Sequence, residues 1–258
     1  MVRTLVVRIS LCLWGAWWAG GALVASEIVE PKPLWWISPH EGGGAKPHHQ
    51  QAFSHWLADR GCPVRISQTG ADKSDAALVF EVRPLAAGMP WMVADTEGNQ
   101  PLTVRWLVKG SRSVKHLASL EGERVALLGK ASLLGHQQPV RLLEQAGVTL
   151  TDVTVFTASK YQGAMALLLH GDVFAAAFPA PLATKWSKLN ELVTLAESDA
   201  RLVAGVWLSS SSTKSQWMEG KQGPCAQGLL AMSRASRGDA KMQVFPEWLT
   251  GFRWPNQR

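Results

Sequence analysis

The chain is short of cysteine, nearly without tyrosine and free of any block of basic residues, and each shortage narrows what it can be. Its 258 residues hold three cysteines, Cys12, Cys62 and Cys225, and one tyrosine, Tyr161. Gly-x-Ser-x-Gly, His-Glu-x-x-His and Cys-x-x-Cys strings are missing. Nucleophilic and metal-assisted hydrolysis therefore have no support, and no catalytic residue, resident metal or cofactor is assigned. Gly129-Lys130 has the look of a phosphate loop, but Ala131 stands where a hydroxyl residue is needed and Gly122 is too far upstream. Lysine and arginine total 26 against 20 acidic residues, and they are scattered. That distribution argues against a nucleic-acid partner. No internal repeat occurs, and residues 209–212 are the single low-complexity tract.

What is present begins with an export signal. Arg3 and Arg8 precede an uncharged apolar run over residues 9–25, and small residues stand at 24–26. A basic start, an apolar middle and a small-residue end predict that residues 1–26 are a signal peptide and that the chain leaves the cytoplasm. A retained anchor is the alternative, although Gly15, Gly20 and Gly21 interrupt a run at the short edge of a membrane span. No cysteine is placed for lipid attachment at the cut, and Cys12 is discarded with the signal. The mature chain keeps 24 basic and 20 acidic residues, a net charge of +4 that suits an anionic ligand without requiring one. In an oxidising compartment Cys62 and Cys225 can form one disulfide, the alternative being two buried thiols.

From residue 34 onward strands alternate with helices. Apolar runs predict strands at 34–37, 64–66, 76–82, 102–108, 125–128, 153–156, 173–178, 192–196 and 202–208. Helical spacing predicts helices at 50–60, 114–120, 137–145, 160–170, 182–189, 224–235 and 239–249. This order predicts an α/β fold with mixed sheets flanked by helices.

Two clusters invite a functional reading. His40, Glu41, His48 and His49 share the loop after the first strand, where imidazole and carboxylate groups could hold zinc or copper. Their spacing fits no fixed motif, and Gly42–Gly44 favour a flexible, solvated loop. Ten tryptophans follow the signal. They fall on apolar faces and read as core, and of Trp35 and Trp36, adjacent in a strand, one at most can face a cleft to stack on a ligand.

The local strings resemble a known family. Leu117-Ala118-Ser119-Leu120-Glu121-Gly122-Glu123-Arg124-Val125-Ala126, the helix ending Leu142-Leu143-Glu144-Gln145-Ala146-Gly147, the stretches 153–171 and 172–177, and the ending Leu249-Thr250-Gly251-Phe252-Arg253-Trp254-Pro255 are similar to solute-binding proteins of phosphate, phosphite and phosphonate ABC importers. The likeness is good over residues 114–200 and weak over 34–110. It implies the two-lobed type 2 periplasmic-binding-protein fold, with lobe 1 at 27–109 and 203–258, lobe 2 at 110–202, and a ligand cleft between them. It implies a monomer that captures a small anion and delivers it to an inner-membrane ABC permease, with no enzymatic activity. A degenerate domain acting as sensor or accessory protein, or an enzyme on the same scaffold, is the alternative.

The helices starting after Gly135 and near Ser159 follow successive strands of one sheet, so their starts open on one edge, facing the cleft the resemblance implies; Ser132, His136, Ser159, Lys160 and Tyr161 then line one wall, with Trp35, Ser38 and Arg83 opposite on lobe 1. Where the family carries Ser-Thr-Ser-Gly, this chain has Ser132-Leu133-Leu134-Gly135, and it has Ser159-Lys160 in place of Ser-His and Pro179 in place of Asp. Fewer hydroxyl donors mean fewer hydrogen bonds to an oxyanion, which puts the charge of Lys160 or Arg83 forward as compensation.

Overall fold

The computed structural model describes residues 32–41, 46–68, 73–84, 90–96, 102–199, 202–209, 222–232 and 238–255. The expected signal, residues 1–26, lies outside them. No described helix is long and apolar enough to cross a membrane.

The chain lays down β1 (Leu34–Ile37), α1 (Pro47–Ala58), β2 (Arg65–Ser67), β3 (Leu78–Pro84) and β4 (Met92–Thr96). It then builds β5 (Val104–Lys109), β6 (Arg124–Leu127), α2 (Gln138–Gln145), β7 (Thr154–Thr157), α3 (Tyr161–His170), β8 (Ala175–Pro179), α4 (Ala180–Asn190) and β9 (Leu192–Glu197). It ends with β10 (Leu202–Ser209), α5 (Pro224–Ala231) and β11 (Leu249–Arg253). The strands form two mixed sheets, ordered β11-β4-β10-β3-β1-β2 and β7-β6-β8-β5-β9. Parallel strands covered on both faces read as unbroken apolar runs, and all four residues of β1, Leu-Trp-Trp-Ile, are buried.

The chain therefore passes from the first sheet to the second and back. The two passages meet at one antiparallel bridge, where Leu102 N–H donates to the Leu202 carbonyl at 2.9 Å and Leu202 N–H to that of Leu102 at 2.8 Å. The expected lobe boundary at residue 109 falls at the end of β5. β5 pairs with β8 and β9, so it belongs to the second sheet, where Trp106, Leu107 and Val108 are wholly buried.

Other differences from the sequence reading have local causes. The helix expected at 239–249 is a 3-10 turn, Ala240–Val244, followed by β11. Pro246 disfavours helical backbone at Phe245, which is extended at φ −104° and ψ 159°. The segment then joins the sheet beside β4, whose Met-Val-Ala-Asp-Thr has no alternation or apolar run to stand out in the sequence. The helix expected at 114–120 shrinks to a 3-10 turn, Leu117–Leu120. Cys62 and Cys225 are bridged with their Cα atoms 4.9 Å apart, tying the turn after α1 to the first turn of α5.

Candidate functional site

The site begins where β6 ends. β6 pairs in parallel with both β7 and β8, so the segments leaving β6 and β7 emerge on the same edge of the sheet. After Leu128 the chain turns, and Ser132, in extended backbone, caps a wide turn at Leu133–Gln137 that runs on into α2. The Ser132 hydroxyl accepts from Gly135 N–H at 2.8 Å, satisfying one of the donors a helix start leaves free. Only glycine fits at 135. A Cβ there would lie 2.5 Å from the buried Leu128 side chain, and this close approach lets Leu128 N–H donate to the Gly135 carbonyl at 2.8 Å. The segment leaving β7 starts α3 with Tyr161, 3% exposed.

Into this corner comes Glu41 from the other sheet. It stands four residues beyond the end of β1 and is 4% exposed. Its Oε1 accepts from Leu133 N–H at 2.6 Å and Leu134 N–H at 3.3 Å. Its Oε2 accepts from the Ser132 hydroxyl at 2.9 Å, the Tyr161 hydroxyl at 3.1 Å and, shared, from Leu134 N–H at 3.3 Å. Four uncharged donors thus converge on one carboxylate, and no ion pair reaches Glu41 among the described residues. The free N–H groups of a helix start suit a negative charge. Burial nonetheless pushes the Glu41 carboxyl above its ordinary 4.5, against the lowering pull of these hydrogen bonds. Burial, and then the Glu41 charge, hold the Tyr161 hydroxyl well above 10, so it is a donor at neutral pH.

The expected site residues divide. Ser132 and Tyr161 meet at Glu41. His136 turns back instead, donating from Nδ1 to the Leu128 carbonyl at 3.0 Å. Ser159 and Lys160 are exposed beside the start of α3, and Lys160 makes no side-chain cap there. Ser38, partly buried, opens the segment that carries Glu41. Arg83 pairs with Glu81 on its own strand at 3.6 Å. Trp35 is a core residue, 2% exposed, packed at 5.0 Å from Trp207 and 6.2 Å from Trp91. That packing leaves Trp35 no face for a ligand.

The loop reading of His40, Glu41, His48 and His49 is corrected. Glu41 is sunk between the sheets while His40 stays exposed and His48 and His49 join α1, their rings 4.1 Å apart. Among the described residues no group of three or more His, Cys, Asp or Glu is placed to hold a metal. Sequence reasoning missed Glu41 because its partners lie some 90 to 120 positions away. The donors at Leu133 and Leu134 are backbone groups, which side-chain motifs do not reveal.

Other contacts also join the two sheets here. Glu247 accepts from Gln162 Nε2 at 2.7 Å and from Lys185 Nζ at 3.3 Å, and the Tyr161 and Trp248 rings meet edge-on at 5.9 Å. The raised Glu41 carboxyl has a measurable consequence. Its folded value lies above its unfolded one, so the stability it contributes is full below about pH 4.5 and is lost as pH rises through the folded value. Among the described residues Tyr161 is the only other titratable side chain bonded to it, and it stays protonated through this window. Urea unfolding of wild type and Glu41→Gln from about pH 4 to about pH 8 is expected to show the wild-type advantage shrinking as pH rises. An advantage that stays flat or grows would contradict the raised carboxyl.

The structure thus combines two α/β lobes with a buried polar cradle at the helix starts between them. The family described as "ABC transporter, phosphonate, periplasmic substrate-binding protein" matches residues 76–257, and the chain belongs to it. No curated protein matches by sequence. PhnD1 of Prochlorococcus marinus, solved with methylphosphonate, is similar in fold at a TM-score of 0.63 and 14% identity, over 86% of this chain and 92% of that one. A binding component of a phosphonate ABC transporter from Pseudomonas aeruginosa gives 0.58 and 8%, over 86% and 82%. A Xanthomonas citri protein bound to ATP gives 0.56 and 14%, over 86% and 90%. At these identities the likeness is one of fold.

Proposed function

We propose that this protein captures a small solute bearing an oxyanion group, phosphonate-like or phosphate-like, between its lobes and delivers it to an inner-membrane ABC permease. The observation that carries this reading is the convergence of Ser132, Tyr161 and the Leu133 and Leu134 N–H groups on a single carboxylate. Those donors suit the oxygens of a phosphonate as they suit those of Glu41. The protein acts in the periplasm as a monomer, without catalysis, and closes by hinge motion about the paired passages at Leu102 and Leu202. Ser132 and Tyr161 hold the anion, and exposed Lys160 adds charge at the rim.

Melting of the mature chain with phosphate, phosphite and methylphosphonate tests this. At least one is expected to raise the midpoint, since ligand at 100 times its Kd adds about 2.7 kcal/mol. No response to any of the three rejects it. A second reading has its own support: Glu41 already fills the cradle, which favours a sensor or accessory domain with an altered ligand.

A further inference from the structure

We propose that Glu41 is a built-in stand-in for the solute: its carboxylate occupies the seat of the solute's anionic group, so an incoming oxyanion binds only by displacing it. This rests on the cradle being the anion seat, and it adds that the chain carries its own competitor for that seat.

Three observations converge. The first is the partner set. A buried carboxylate is ordinarily kept by a cation, yet Glu41 has only neutral donors, two of them backbone groups at a helix start. That is how a protein holds a bound anion. The second is the direction of reach. Glu41 leaves the end of β1 in the first sheet, and all its donors belong to the second sheet's lobe. It spans the cleft as a captured solute does, and it holds the lobes together beside the Glu247 and Trp248 contacts. The third is satisfaction. Ser132 and Tyr161 are 1% and 3% exposed, and Glu41 is the acceptor their hydroxyls share with the N–H groups of Leu133 and Leu134. The site needs one acceptor group and has room for one charge, because a second anion beside an uncompensated carboxylate is repelled. Occupancy by Glu41 and by a solute oxyanion are therefore mutually exclusive.

Apparent affinity falls in proportion to the fraction of molecules whose seat is free. Calorimetric titration of the mature wild type, Glu41→Ala and Glu41→Gln with acetate, inorganic phosphate and methylphosphonate reads that competition directly. Acetate reproduces the group removed, and methylphosphonate presents the phosphonate alternative. Glu41→Ala is expected to bind at least one probe about tenfold or more tighter than wild type, with Glu41→Gln between them, its amide offering one acceptor where two oxygens stood. If Glu41→Ala does not fold, the isosteric Glu41→Gln is judged by the same standard against wild type. Equal or weaker affinity in the variants for all three probes, or no binding by either variant, overturns the proposal. The two readings fail separately. If wild type binds an oxyanion as tightly as the variants do, solute capture stands and the role of Glu41 falls. If only the variants bind, the role of Glu41 stands and capture by the wild-type chain falls.

Discussion

Opening the Cys62–Cys225 bridge is expected to remove about 5 kcal/mol of stability, on the chain-entropy account of a closed loop. The two residues are 163 positions apart, and the whole second sheet with its helices lies inside the loop they close. In the unfolded chain that closure is a severe restriction, whereas in the folded chain the two cysteines are already neighbours, one after α1 and one in the first turn of α5. α1 and α5 also touch directly, with Trp56 Nε1–H donating to the Gly228 carbonyl at 3.4 Å. The bridge therefore joins the segment before the chain leaves the first lobe to the segment after it returns. A loss of this size compares with the whole stability of a typical domain, about 5–15 kcal/mol. Urea unfolding of the protein with and without a thiol reductant, and of Cys62→Ser/Cys225→Ser, measures it. A loss below about 1 kcal/mol would mean that the staple constrains little. Free-thiol titration of unreduced, denatured protein is expected to find none, and two titratable thiols would remove the basis for the prediction.

The second lobe was legible in the sequence because its elements follow one another closely and each carries its own period. β6, β8, α3 and α4 lie within a few residues of the ranges their apolar spacing predicts. The β11-β4 side of the first sheet was not legible. β4 and β11 pair with each other across more than 150 positions, as Phe252 opposite Ala94 illustrates, and neither has a pattern that stands apart from a loop or a helix. The candidate site shows the same division. Ser132 and Tyr161 could be found because helix starts after successive parallel strands share an edge, a rule of local order. Lys160 and Arg83 were weighted for their charge, yet the structure fills the cradle with a carboxylate and surrounds it with neutral donors. Glu41 was legible only as a member of a polar loop, since nothing near residue 41 signals that its partners wait beyond residue 130.

Substituting alanine for Gly205 is expected to cost about 3 kcal/mol, although its backbone would accept alanine. Its φ lies outside the left-handed range, so Gly→Ala would by itself stiffen the unfolded chain and stabilise slightly. Space forbids it. A Cβ at 205 would sit 2.2 Å from Phe80 Cζ and 2.6 Å from Cε2. Phe80 cannot yield, for it is 1% exposed and its ring lies 5.3 Å from Trp207, 5.2 Å from Phe245 and 5.9 Å from Phe252. Gly205 falls where β10 carries one extra residue against β3, between the pairs Val203–Arg83 and Val206–Glu81, and the bulge brings its backbone onto the ring. The position also bears on the site. Phe80 is the register partner of Ile37, and its carbonyl accepts from Ser38 N–H at 2.9 Å, at the base of the segment that delivers Glu41. Phe80→Ala alone is expected to cost about 4 kcal/mol through the cavity it opens. The double variant Gly205→Ala/Phe80→Ala should then be less destabilised than the sum of the two by roughly 1–3 kcal/mol, because the new methyl group enters the space the ring has left. Chemical unfolding of the four proteins gives this coupling, and strict additivity would show that contact with Phe80 is not what reserves position 205 for glycine.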